Sequence, residues 1–336
     1  MERGTVFERL TSFPYLWECW RKAKLNKSSS IRIQSFGDDP MRHILTIQER
    51  LRAGNYKFGP YKSFTVQEKK FRHVVDAPMK DRIVHWMLYR HLLPIWQPRF
   101  IADTYGNLPG RGTHAAVQRL AQFCRAGEAK YVLQMDISKY FYSVNHDLLK
   151  TCALRYIGDH KLRVLIERLI DSFVTDGRFD DLFAPSSAYR TTLRKGMPIG
   201  NLSSQLFANI FLAAFDHWVK ETLRAKRYLR YVDDICIIGS QPAELHDIAA
   251  AIVGKLTELG LTVHPFKTRI APISMGVPFL GYIVWPTSIS AGAYLRHRFH
   301  RALRKHEHEG MDKSAAIDSY RAALMHTGST IYRGAA

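Results

Sequence analysis

The segment Arg227-Tyr228-Leu229-Arg230-Tyr231-Val232-Asp233-Asp234-Ile235-Cys236-Ile237-Ile238-Gly239 sets two apolar runs, aromatic before and β-branched after, around a polar centre. That pattern predicts a β-hairpin with the acidic pair at its turn. Earlier in the chain, Tyr131-Val132-Leu133-Gln134-Met135-Asp136-Ile137 reads as a buried strand that ends in a carboxylate. Asp and Asn favour turns without any metal, so Tyr231-Val232-Asp233-Asp234 by itself leaves a plain polar turn and an acidic site equally open.

Helical periodicity surrounds these strands. In LFANIFLAAFDHWVKETL (206–223), Leu206, Ile210 and Ala213 with Phe207, Phe211 and Phe215 form a wide apolar face, suited to packing under a sheet. AELHDIAAAIVGKLTELG (243–260) carries Leu245, Ile248, Ile252, Leu256 and Leu259 on one face and stops at Gly260. LTVHPFKTRIAPI (261–273) and VPFLGYIVW (277–285) read as returning strands, and His146 to about Asp171 as an amphipathic helical stretch. Upstream, FPYLWECWRKAKL (13–25) and MRHILTIQERL (41–51) are helical, Tyr56 to Val75 is strand-like, and KDRIVHWMLYRHLLPI (80–95) is helical. The polar segment DGRFDDLFAPSSAYRTT (176–192) reads as a connection or small hairpin. Strands alternating with helices predict an α+β fold whose antiparallel sheet packs on helices.

The 336 residues contain 49 Lys and Arg against 30 Asp and Glu, a net charge of +19 that favours a polyanionic partner over a merely solvated basic surface. Cys19, Cys124, Cys152 and Cys236 lie far apart with no CxxC pair, which argues against a zinc site and a secreted disulfide scaffold. The opening MERGTVFERL lacks the apolar stretch of a signal peptide, and no apolar run reaches about 18 residues. A soluble chain in a reducing cytoplasm, with no membrane contact, is the expectation.

Several ordered blocks narrow the chemistry: KDRIVHWML (80–88), DTYGNLPGRGTHAAVQRL (103–120), MDISKYFYSVNH (135–146), KGMPIGNLSSQLFANIFL (195–212), RYVDDICIIG (230–239), and HPFKT with FLGYIV (264–284). From about residue 60 to 285 this series resembles the motifs of reverse transcriptases. The resemblance implies a right-hand polymerase. Residues 1–60 would be an N-terminal helical extension and 61–130 the fingers. The palm would span 131–286, with a fingers-side insertion at about 148–195, and 287–336 would form a short basic helical thumb. It also implies an RNA-directed DNA polymerase, in which a 3′-hydroxyl attacks an α-phosphate and two Mg²⁺ ions stabilise the charge that develops.

The resemblance assigns roles by position. Asp136 and Asp233 would hold both metals, the Ile137 carbonyl would add an oxygen ligand, and Asp234 would contribute charge. Phe141 matches the aromatic that stacks under the incoming sugar and clashes with a 2′-hydroxyl; its alternative is core packing. Arg72 matches an arginine over the triphosphate, with Lys69 and Lys70 as assistants or as solvated surface charges. Lys267 matches a lysine that protonates the departing pyrophosphate, and Tyr231 joins the substrate-binding set. The histidine-rich HRFHRALRKHEHE (297–309) reads as a basic helix against duplex rather than a metal cluster, and LPGRGTH (108–114) as template contact rather than a P-loop.

One departure points within the family. Group II intron and retron enzymes typically carry Gln-Gly followed by Ser-Pro, whereas this chain has Ile199-Gly200 and Ser204-Gln205. That pattern resembles the enzymes of diversity-generating retroelements, which copy a template RNA with errors at adenines and work with a small basic accessory variability protein. Structured template RNA, an RNA/cDNA hybrid, dNTPs and that accessory oligomer are the implied partners. No segment after the basic C-terminal region is expected to hold an RNase H or endonuclease. An antiphage-defence or group II intron-like reverse transcriptase is the alternative.

Overall fold

The computed structural model describes residues 5–25, 31–67, 71–175, 194–309, 311–325 and 327. The segment 176–192 and the lysines at 69 and 70 lie outside the described residues. Two compact units emerge: Met1–Ile101 with Lys139–Phe215 and Thr257–Leu261, and Ala102–Ser138 with Asp216–Leu256 and Thr262–Ala336.

The first unit is mainly helical. Its central helix, Met79–Trp96, buries Ile83, Val84, Met87, Leu88 and Leu92, and packs against helices Phe13–Lys24 and Leu202–Phe211. The start of that helix is fixed by buried Asp81, which accepts 2.6 Å and 2.7 Å hydrogen bonds from the Tyr56 hydroxyl and the Gly59 amide. Strands β1 (Lys62–Gln67) and β2 (Phe71–Asp76) form an antiparallel ribbon in which Val66 faces Arg72.

The stretch from His146 to Asp171 forms two helices, His146–Leu154 and His160–Asp171. The second has its own start, because the Asp159 carboxylate caps the Leu162 amide at 3.1 Å. The apolar stretch from Leu206 divides similarly, into Leu202–Phe211 and Ala213–Glu221 with Leu212 at the break. The first of these is buried nearly all round and packs against helices Met79–Trp96 and His146–Leu154.

The second unit is built on a five-stranded sheet. Its strands are β3 (Thr104–Tyr105), β4 (Tyr131–Asp136), β5 (Tyr228–Tyr231), β6 (Asp234–Gly239) and β7 (Arg269–Pro272), in the order β3-β5-β6-β4-β7. All pairings are antiparallel except β3 with β5. Of the predicted strand over 261–273 only β7 forms, with Val263 as a single bridge to Ile137. Pro265 offers no amide to a ladder, and Lys267 turns back to bond the His264 carbonyl at 3.2 Å.

A second sheet of β8 (Val277–Phe279), β9 (Tyr282–Val284) and β10 (Ile289–Ala291) follows. Val132, Leu229, Cys236 and Ile238 of the large sheet share one core with Val117 and Leu120 of helix Thr113–Cys124 and with Phe279, Tyr282 and Val284. Helices Ala293–Glu307 and Ser314–Leu324 close a smaller core around Phe299, Ala302, Ile317 and Leu324, leaving Arg296, Arg298, Arg301 and Arg304 exposed. Among the described residues no helix is long and apolar enough to cross a membrane.

Candidate active site

β5 and β6 pair Tyr231 with Asp234, so Val232 and Asp233 alone make the turn. Val232 has φ +56°, a region that costs a β-branched residue free energy. Both of its peptide groups are held: its amide donates to the Tyr105 carbonyl at 3.2 Å, and its carbonyl accepts from the Arg230 guanidinium at 2.7 Å. Gly106, at φ +89°, lets β3 come this close, since a Cβ there would lie 2.6 Å from Cγ2 of Val232.

The turn meets β4 in register. Asp136 and Asp234 are Cα partners, and the Ile137 amide donates to the Asp233 carbonyl at 3.1 Å. Burial, then the charges of Asp233 and Asp136, push the Asp234 carboxyl up to about 7, against the lowering influence of Lys267. The Lys267 ammonium donates to Asp136 Oδ2 at 2.5 Å, and the loop that carries it is anchored by the His264 amide on the Asp136 carbonyl at 2.8 Å.

No group of three or more His, Cys, Asp or Glu side chains stands in closed ligating geometry among the described residues. What the strands assemble is a crowd of hard oxygen donors whose mutual repulsion a divalent cation relieves, a donor set that suits Mg²⁺ rather than a soft metal. Tyr231 flanks the acids, with its hydroxyl 3.1 Å from that of Thr113.

Of the remaining predicted residues, Arg72, Phe141, Ile199, Gly200 and Gln205 are described and belong to the helical unit. Phe141, half-buried on the short helix Tyr140–Ser143, accepts the Met197 amide on its carbonyl at 2.6 Å. Two residues on, the Ile199 carbonyl accepts the Val75 amide at 2.8 Å, which ties this loop to β2, the strand of Arg72. Gly200 has φ +109°, and a Cβ there would press 3.0 Å from Val74 and 3.2 Å from the Val75 carbonyl. Gln205 is half-buried on helix Leu202–Phe211.

Sequence reasoning passes over Arg230 and Asp216. Both side chains are fully enclosed, and Asp216 receives the guanidinium fork at 2.7 and 2.6 Å. Thr104 and Tyr228 donate to the same carboxylate at 2.8 and 2.5 Å. The available signal was an acid on the apolar stripe of Phe215 and Val219, together with a base in an otherwise apolar strand.

Residues 56–284, more than half the chain, match the family described as reverse transcriptase (RNA-dependent DNA polymerase). Protein YkfC of Escherichia coli strain K12 is 26% identical over 275 residues, covering 70% of this chain and 69% of that protein. The group II intron-encoded protein LtrA of Lactococcus lactis subsp. cremoris is 25% identical over 187 residues, 55% of this chain but only 29% of LtrA. In fold, the chain is similar to the apo telomerase of Candida tropicalis truncated from its C-terminal domain. That likeness has a TM-score of 0.50 at 12% identity, covering 75% of this chain and 60% of the telomerase. Asp136 and Asp234 paired in register on neighbouring strands, with Asp233 at the adjoining turn and the sheet packed against helices, agree with these likenesses: the chain belongs to the reverse transcriptase family, the RNA-directed DNA polymerases.

Proposed function

We propose that this chain copies an RNA template into cDNA from dNTPs at the Asp136–Asp233–Asp234 site. The observation that carries the reading is the facing register of Asp136 and Asp234 beside a turn whose Asp233 carbonyl is bonded to the Ile137 amide. Asp136 and Asp233 would hold two Mg²⁺ ions with the Ile137 carbonyl, and Asp234 would add negative charge. When bound, the ions would lower the barrier by stabilising the attacking and leaving oxygens of phosphoryl transfer.

The chain's own groups divide the remaining work. Lys267 would give a proton to the leaving pyrophosphate, and the Arg72 guanidinium, helped by Lys69 and Lys70, would hold the triphosphate. Phe141 would stack beneath the sugar and exclude a 2′-hydroxyl, and Tyr231 and Gly200 would also bind the nucleotide. Residues 1–60 would form an extension to fingers at 61–130, and 287–336 a short thumb on the RNA/cDNA hybrid. The test is primer extension on an RNA template with dNTPs, alongside RNA binding. Asp233→Ala should abolish synthesis and leave RNA affinity within about twofold; synthesis that survives the substitution overturns the site.

Within the family, Ile199-Gly200 and Gln205 support the error-prone enzyme of a diversity-generating retroelement, acting in the cytoplasm on a structured RNA with a small basic accessory protein oligomer. The likeness to LtrA favours a second reading, a group II intron-like enzyme, and an antiphage-defence role is the third. Sequencing the RNA and cDNA that copurify with the chain separates them. A repeat whose cDNA is altered at adenines supports the first; intron RNA or an unaltered transcript overturns it.

A further inference from the structure

We propose that the enclosed Arg230–Asp216 pair is a positioning element for the metal centre: it clamps the Val232–Asp233 peptide and so sets the direction in which the Asp233 carboxylate leaves the turn. This rests on the reading of Asp233 as a metal ligand. Three observations carry it.

The turn is strained at Val232, where φ is +56°, and such a conformation persists only if its surroundings impose it. Arg230 supplies that restraint directly, because Nη1 reaches the Val232 carbonyl at 2.7 Å while Nε and Nη2 grip Asp216. Asp216 is in turn immobilised by Thr104 and Tyr228, so four side-chain donor bonds converge on one carboxylate.

Stability alone is a poor reason for this arrangement. Well-packed apolar residues commonly replace a buried ion pair at no cost in stability. An apolar pair could fill the volume but could not bond the Val232 carbonyl. The planar fork matters: one edge of the guanidinium serves the acid and Nη1 serves the turn, a division that a lysine cannot reproduce.

The decisive variant is therefore Arg230→Lys, which keeps a cation opposite Asp216 but cannot hold both oxygens of the acid and the turn carbonyl. Mn²⁺ binding to the full chain, followed by electron paramagnetic resonance without substrates, should weaken by about tenfold or more. Hydrogen exchange at the Val232 amide should accelerate, and RNA affinity should stay within about twofold. Adding Val232→Gly relieves the cost of positive φ and should recover part of the Mn²⁺ affinity, which a purely space-filling role for the pair would not do. Tyr228→Phe, which retains both charges, should produce a smaller loss of the same kind, and it decides the matter if Arg230→Lys does not fold.

Unchanged Mn²⁺ affinity in a folded variant overturns the positioning role. A wild-type chain that binds no Mn²⁺, or binds it equally after Asp233→Ala, overturns the metal-centre reading instead.

Discussion

Lys267 and Asp136, 131 positions apart in the sequence, meet at 2.5 Å. The ammonium is thus held at the carboxylate around which the chemistry is proposed, and the proton donation proposed for it can be told apart from its offset of charge. Lys267→Arg keeps the charge but is a very weak acid, so the two roles separate. We expect single-turnover incorporation to fall by about a hundredfold in both Lys267→Arg and Lys267→Gln, with loss of the solvent isotope effect. Retention of the wild-type rate by Lys267→Arg would reduce the role to charge alone.

Ile199 contributes its carbonyl to the Val75 amide, a main-chain bond that substitution of the side chain leaves in place. Ile199→Gln therefore tests the side chain by itself. Restoring a hydrogen-bonding group should lower misincorporation opposite template adenine severalfold, with smaller changes at the other three bases. Deep sequencing of cDNA made by the two proteins measures this, and an identical error spectrum would rule out the idea.

Gly106 makes room for the acidic turn. Gly106→Ala would combine an unfavourable φ of +89° with a methyl 2.6 Å from Val232, so something must move. The expected cost is about 2 kcal/mol or more, seen as a lower midpoint in urea. DNA synthesis should fall beyond what the loss of folded protein explains, because the displaced neighbour precedes Asp233. Wild-type stability and rate together would show that the turn is not confined in this way.

His85 is wholly enclosed, with Nδ1 2.6 Å from the Ser203 hydroxyl, and burial lowers its pKa from 6.5 to about 3. Below about pH 6.5 the unfolded chain takes up a proton that the folded chain refuses. The contribution is therefore intact above that pH and is lost progressively as pH falls toward 3. The slope is about 1.4 kcal/mol per pH unit for one proton. Denaturation midpoints of wild type and His85→Gln between pH 7 and 5 should converge on acidification; parallel curves would mean that His85 takes up its proton while folded.

The acids were legible because strand alternation and turn chemistry are local. Asp136 closes an apolar run, and Asp233 and Asp234 interrupt another, so period and punctuation place them at a strand end and a hairpin, while a role for them comes only with the resemblance. Gly260 likewise follows the helix Pro242–Glu258 where the periodicity ends. The break at Leu212 left no such mark, because apolar spacing runs on through it, whereas the one around Asp159 is marked by Gly158-Asp159, a stop and cap that the apolar spacing on either side outweighs. β3, only two residues long, is too short to display any period and forms because Tyr105 has a partner in Tyr231. Arg230 and Asp216 show the harder limit: each looks misplaced in its own segment, and only their meeting accounts for both.

The borders of the two sheets also bear on solubility. β3 presents two residues, β7 ends in Pro272, and β8, at one edge of the smaller sheet, has Pro278 at its centre. Short or amide-deficient margins give a foreign strand little to pair with, so these sheets resist growing into intermolecular ribbons. A protein whose net charge of +19 favours long polyanions, on which several copies could gather, is thereby guarded against strand-to-strand pairing along these edges.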